Sequence, residues 1–203
     1  MALAAQSPFR DERTQFAAGR LGMWIFLVSL GMVFAAVVVA YVVVRLQLVS
    51  EDDWKPEGAP GLGWLLVLST VLLIGASCTL WGGSVAARNG RVGRTVGAWM
   101  LASCILIVGF LVNQTFAWID LWRANLVFDE SLYAWTFYIL TGLHALHVIG
   151  GLGPLVLTTH NVFLGRYGKE ATSRAGLVYC GMYWHFLDAV WLVLYVVLLW
   201  GTR

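Results

Sequence analysis

Charge is what this chain has least of: thirteen Lys and Arg and eleven Asp and Glu make up 12% of its 203 residues, where a soluble domain averages about 25%. Against 60% hydrophobic residues and a mean hydropathy of +0.76, so few ionic groups exclude a water-soluble globule. Cysteine is scarce as well. Cys78, Cys104 and Cys180 all fall inside apolar runs and form no C-x-x-C pair, which argues against a disulfide framework or zinc ribbon and leaves them as small buried residues. Of four prolines only Pro154 interrupts an apolar run. A net charge of +2 with no basic tract gives no electrostatic footprint for nucleic acid. No phosphate-cradling glycine loop and no paired nucleophile and base occur. The first twenty residues lack the apolar centre of a cleavable signal, so the first span is expected to act as the insertion signal.

Long hydrophobic runs are what the chain does have. Five of them, about 21–45, 62–87, 95–119, 132–160 and 175–200, reach the roughly 20 helical residues that cross a bilayer core. In lipid only a helix satisfies its own backbone, so even the Val-rich segment Val37 to Val44 is expected to be helical. The fold class predicted is therefore all-α: an integral membrane bundle of five transmembrane helices in one domain, 21–203, behind a loosely ordered cytoplasmic tail, 1–20. Basic residues set its orientation. Arg10, Arg13, Arg20, Arg88, Arg91, Arg94, Arg166, Lys169 and Arg174 gather on one side, against Arg45, Lys55, Arg123 and Arg203 on the other. That asymmetry predicts a cytoplasmic N-terminus and an outer C-terminus.

Two stretches carry ionisable groups into the membrane. Tyr183 to Trp191 sets His185 and Asp188 inside an apolar run, and an intramembrane Asp costs about 2.5–3.5 kcal/mol unless the bundle interior compensates it. At i and i+3 the two share a helix face and can bond each other or a neighbouring helix. His144 and His147 share a face in the same way, near a bend expected at Pro154. Depth along the two spans allows His144, His147, His185 and Asp188 to meet in one polar layer. Asn113 and Gln114, toward the outer end of the third span, are candidates for helix-to-helix hydrogen bonding; the sequon Asn113 to Thr115 is read as chance. The second span, with Ser69, Thr70, Gly75, Ala76, Ser77 and Thr79, should pack on both sides. The acidic loop Glu51 to Pro60 is either a solvated connection or a docking patch for a cationic partner.

Imidazoles could bind a metal or haem. The spacing lacks the Glu-x-x-His of di-iron bundles and the HExxH of zinc proteases. A proton relay is chemically open, since His titrates near neutrality, and a transporter would use Asp188 as its coupling site, though no inverted repeat is visible. Structural hydrogen bonding is the preferred reading, with proton-linked and cofactor roles as alternatives. Catalytic, cofactor and metal residues are expected to be absent.

Three motifs together resemble a known family. Gly22-Met23-Trp24-Ile25-Phe26-Leu27, Thr141-Gly142-Leu143-His144-Ala145-Leu146-His147-Val148-Ile149-Gly150-Gly151 and Tyr183-Trp184-His185-Phe186-Leu187-Asp188-Ala189-Val190-Trp191 are similar to subunit III of haem-copper terminal oxidases, cytochrome c or quinol oxidase, in its short five-helix form. The resemblance implies a subunit without haem or copper, packed with membrane phospholipid against catalytic subunit I and subunit II in a bacterial plasma membrane. It further implies a role in stabilising the catalytic subunit and supporting proton uptake and oxygen reduction. Two family acids are missing: Leu30 follows Ser29 in the first span, and Ala117 stands in Gln114-Thr115-Phe116-Ala117-Trp118. A proton-antenna role built on those two acids therefore does not carry over. Alternatives are a relative assisting a nitric oxide reductase, or an independent membrane haem protein using His144, His147 or His185.

Overall fold

The computed structural model describes residues 12–48, 54, 56, 60–61, 63–91, 93–126, 131–167 and 175–201. Within them are five long helices: α1 Glu12–Val43, α2 Gly63–Arg88, α3 Arg94–Arg123, α4 Leu132–Phe163 and α5 Ala175–Gly201. Each is long and apolar enough to cross a membrane, and each keeps its backbone bonded within itself, as hydrocarbon requires. Large apolar side chains such as Leu21, Val71, Ile105 and Leu146 point outward, the reverse of a soluble protein.

The helices run longer than the hydrophobic stretches alone predict. α1 begins at Glu12, so residues 12–20, expected as a loose tail, are helical. Tyr179 of α5 explains this: its ring stacks on Phe16 at 5.9 Å and its hydroxyl donates to the Phe16 carbonyl at 3.1 Å. At its other end α1 widens into a π-turn, Val44–Leu48. α4 passes through Pro154 as a continuous helix. The acidic loop between α1 and α2 lies outside the described residues apart from Trp54, Pro56, Pro60 and Gly61.

Helix ends are defined by local chemistry. Ser131 is extended (φ −152°) and caps α4 by accepting from the Ala134 N–H, a standard N-cap bond. α2, α3 and α4 end in the paired reverse bonds of Schellman motifs: Arg91 N–H to Ala86, Leu126 N–H to Leu121 and Arg166 N–H to Asn161. The left-handed residue each motif needs is Gly90 (φ 76°), Asn125 (φ 57°) or Gly165 (φ 68°).

α2, α3, α4 and α5 form a closed ring of antiparallel neighbours, with α2 and α3 most extensively packed. α1 stands outside this ring. It lies parallel to α5 and touches α4 lightly, with Phe26 stacked on Tyr183 and Tyr41 beside Gly201.

Candidate functional site

The polar residues of the bundle make their contacts in three joints. The first is an aromatic cage. His144 is fully buried, edge-on to Phe34 and Phe110 and 5.1 Å from the Trp191 ring. Neither of its nitrogens has a hydrogen-bond partner among the described residues. One turn on, His147 lies 5.1 Å from Phe34, and its Nδ1–H donates 2.7 Å back to the Leu143 carbonyl. The carbonyl of His147 in turn accepts from the Tyr183 hydroxyl at 2.8 Å, tying α4 to α5. That closeness depends on Gly151, where a methyl group would collide with Tyr183 and Trp184.

The second joint lies between α2 and α5. His185 Nδ1 shares a 2.6 Å hydrogen bond with Ser77 Oγ, and the same hydroxyl interacts with the Asp188 carboxyl. The His185 to Asp188 bond allowed by their spacing is thus replaced by two contacts to one serine. Asp188 is buried with Oδ2 unpartnered among the described residues, whereas His185 lies on the bundle's outer surface. The reason is the stripe Trp184, Leu187 and Trp191, each 1% exposed, at the i, i+3, i+7 positions that face the core. Those bulky groups occupy the centre and leave His185 and Asp188 flanking it on the α2 side. From the core, Trp191 also reaches α2, donating its indole N–H to the Thr70 hydroxyl at 3.0 Å.

The third joint links α2, α3 and α4 toward the end that holds Trp54. Asn113 Nδ2 donates to the Leu65 carbonyl at 2.8 Å and to Ser69 Oγ at 2.7 Å. Gln114, expected to bond across helices in the same way, does not: both its side-chain polar atoms are buried without a partner among the described residues. It sits one turn from Phe110 and one from Trp118, which both face α4. The hydroxyl there, Thr141, already accepts from Trp118 and donates to Phe137. Leu30 and Ala117, at the positions of the missing acids, are core residues.

Several contributors were not visible in the sequence. Ser77 and Thr70 belong to a hydroxyl-rich span whose composition gave a signal, but nothing singled out their partners. Trp54, in a loop read only for its charge, is 2% exposed. Its indole N–H donates 2.7 Å to the Gly201 carbonyl, its ring meets Tyr41 and Tyr133 edge-on, and the Arg45 guanidinium lies 5.1 Å from its centroid.

None of the joints has the form of a metal centre: among the described residues no group of three or more His, Cys, Asp or Glu side chains could hold an ion. Grooves are the other chemical feature. One of about 580 Å³ runs between α1, α4 and α5, lined by Met23, Phe26, Gly150, Pro154, Tyr179 and Tyr183. Another, about 540 Å³, lies between α2 and α3 near Trp64, Phe116 and Asp120.

The family model for cytochrome c oxidase subunit III matches residues 4–202. Among curated relatives, cytochrome c oxidase subunit 3 of Synechocystis sp. is 32% identical over 178 residues, covering 86% of this chain and 72% of that protein. The Corynebacterium diphtheriae protein of the same name is 32% identical over 87% of this chain and 84% of its own length. That of Thermostichus vulcanus is 29% identical over 90% and 87%. With its five apolar helices and a motif match along nearly its whole length, the chain belongs to the cytochrome c oxidase subunit III family.

Proposed function

We propose that this chain, as subunit III of a cytochrome c oxidase, is the companion that keeps catalytic subunit I, with subunit II, folded through repeated turnover and supports its proton uptake. In this family the metal centres belong to subunits I and II. Electron transfer and the reduction of oxygen to water are therefore the work of its partners. The observation that carries the reading is how the buried polar groups are used. His147, Asn113, Thr70, Trp118 and Tyr183 spend their hydrogen bonds on neighbouring helices or backbone, and His144 is walled in by rings. These groups serve as joints.

The N-terminus is cytoplasmic and the C-terminus outside. The support is the basic end formed by Arg13, Arg20, Arg88, Arg91, Arg94 and Arg166 against Arg45 and Arg123 at the other end. The membrane is a bacterial plasma membrane, in keeping with the short five-helix form and bacterial relatives. Phospholipid acyl chains occupy the two apolar grooves along its flanks. The alternatives of a free-standing haem protein, a transporter or an aide to a nitric oxide reductase find no support in relatives that carry the name cytochrome c oxidase subunit 3.

The test is purification of the native complex with and without this chain. The chain should travel with a haem-bearing subunit, contribute no Soret band alone, and its removal should leave the initial rate near normal while shortening the number of turnovers before inactivation. An unchanged turnover lifetime would refute the stabilising role.

A further inference from the structure

We infer that the face shared by α2 and α5, centred on His185, is where another membrane-spanning chain of the oxidase docks, presenting a hydrogen-bonding group to Nε2 of His185 at mid-bilayer depth. This rests on the reading of the chain as an oxidase subunit, and names the surface that reading needs.

His185 differs from the two other histidines of the polar joints. His144 is enclosed by Phe34, Phe110 and Trp191, and His147 is half-buried against Phe34 and its own helix. His185 is exposed on the outside of the bundle. Its Nδ1 is held by Ser77, and among the described residues Nε2 has no hydrogen bond. His185 is ten residues from Ala175, the first residue of a 27-residue helix, and so lies about 15 Å along an axis of about 40 Å. At that depth the surroundings are hydrocarbon, which offers nothing to an imidazole nitrogen, and an uncompensated polar edge there is costly.

The surface around it is shaped for a neighbour. A groove of about 360 Å³ runs from Arg88 at the basic end to His185, walled by Trp81, Leu177 and Met182, with Gly181 contributing no side chain. Trp81 is 62% exposed at its edge. All three grooves are lined chiefly by carbon. This one differs by pairing a guanidinium at headgroup level with an imidazole in the middle of the bilayer. A lipid could answer the first, but its tail could not answer the second. A protein helix can answer both.

Cys78, exposed on α2 one turn before Trp81, borders the face and reports on it. Its alkylation by a membrane-permeant maleimide, followed by mass spectrometry of the peptide, is compared between the purified complex and the chain alone in detergent. Labelling in the complex should be slower by about tenfold or more. His185→Phe should weaken retention of the chain during detergent washing by about tenfold, the equilibrium equivalent of ~1.4 kcal/mol, and His185→Gln, which keeps a hydrogen-bonding group, should restore much of it. Each variant chain is first checked for unchanged helicity and monodispersity. Equal labelling of Cys78 in complex and free chain, or full retention of His185→Phe, would overturn the assigned face while leaving the subunit reading intact. Protection lost on delipidation with the haem subunit still bound would give the face to lipid and also overturn it. A chain that never copurifies with a haem-bearing subunit would instead overturn the subunit reading and this inference with it.

Discussion

Replacing Trp54 by Ala should be the most damaging single change outside the five long helices. The side chain is 2% exposed and draws together three parts of the chain: Tyr41 and Arg45 at the end of the first span, Tyr133 at the start of α4 and Gly201 at the end of α5. Truncating a buried Trp to Ala costs about 3–5 kcal/mol. Loss of the bond to Gly201 adds about 1 kcal/mol, because that carbonyl is a helix-end acceptor left without its donor. For a chain of this size each kcal/mol moves a melting midpoint by roughly 2–4 °C, so a fall on the order of ten degrees is expected. Trp54→Phe separates the contributions: it keeps most of the ring packing, loses the N–H donor and should cost about 1–2 kcal/mol. The assay is the temperature at which the purified chain loses monodispersity on size exclusion after a fixed incubation. Trp64→Ala is the control, since Trp64 is 65% exposed. If Trp54→Ala shifts the midpoint no more than Trp64→Ala, the idea that this indole fastens these helix ends together is wrong.

Three further changes test the joints. Asn113→Leu removes two bonds between α2 and α3, to the Leu65 carbonyl and the Ser69 hydroxyl, so a loss of about 1–3 kcal/mol should appear in the same midpoint assay. Gln114→Leu should do the opposite: with both polar atoms unpartnered among the described residues, the apolar replacement should hold or raise the midpoint, and a clear fall would mean that the Gln114 amide is bonded within the chain. Gly151→Ala drives a methyl group into Tyr183 and Trp184, whereas Gly153→Ala, two residues away, meets open space. The first should cost about 1–3 kcal/mol by overpacking and the second nearly nothing, measured as relative yield of folded chain.

The number and sequence positions of the helices were legible in the sequence because membrane crossing depends on length and apolarity, which composition reports directly. The ends were less so. The extension of α1 down to Glu12 depends on Tyr179, a residue 163 positions from Phe16, and hydropathy carries no information about such a contact. For the polar residues, periodicity identified which pairs share a face but could not rank the faces. His185 and Asp188 do lie side by side, yet Trp184, Leu187 and Trp191 claim the centre of the bundle by their bulk, and that competition is decided only when α4 and α5 meet. Asn113 and Gln114 are adjacent in sequence with nearly the same chemistry. One meets two acceptors on α2, and the other is buried where neither of its polar atoms finds a partner among the described residues.

The position of α1 outside the ring has a consequence for how the protein is made. Its principal neighbour is α5, the last of the five helices to leave the ribosome, so the first helix inserted must wait in the membrane through the synthesis of three others before its main contact exists. During that interval Phe26 and Tyr41 have no α5 to rest against, and α1 is free to exchange with lipid or a chaperone. Completion of the chain, rather than the closing of any early hairpin, is the event that captures it.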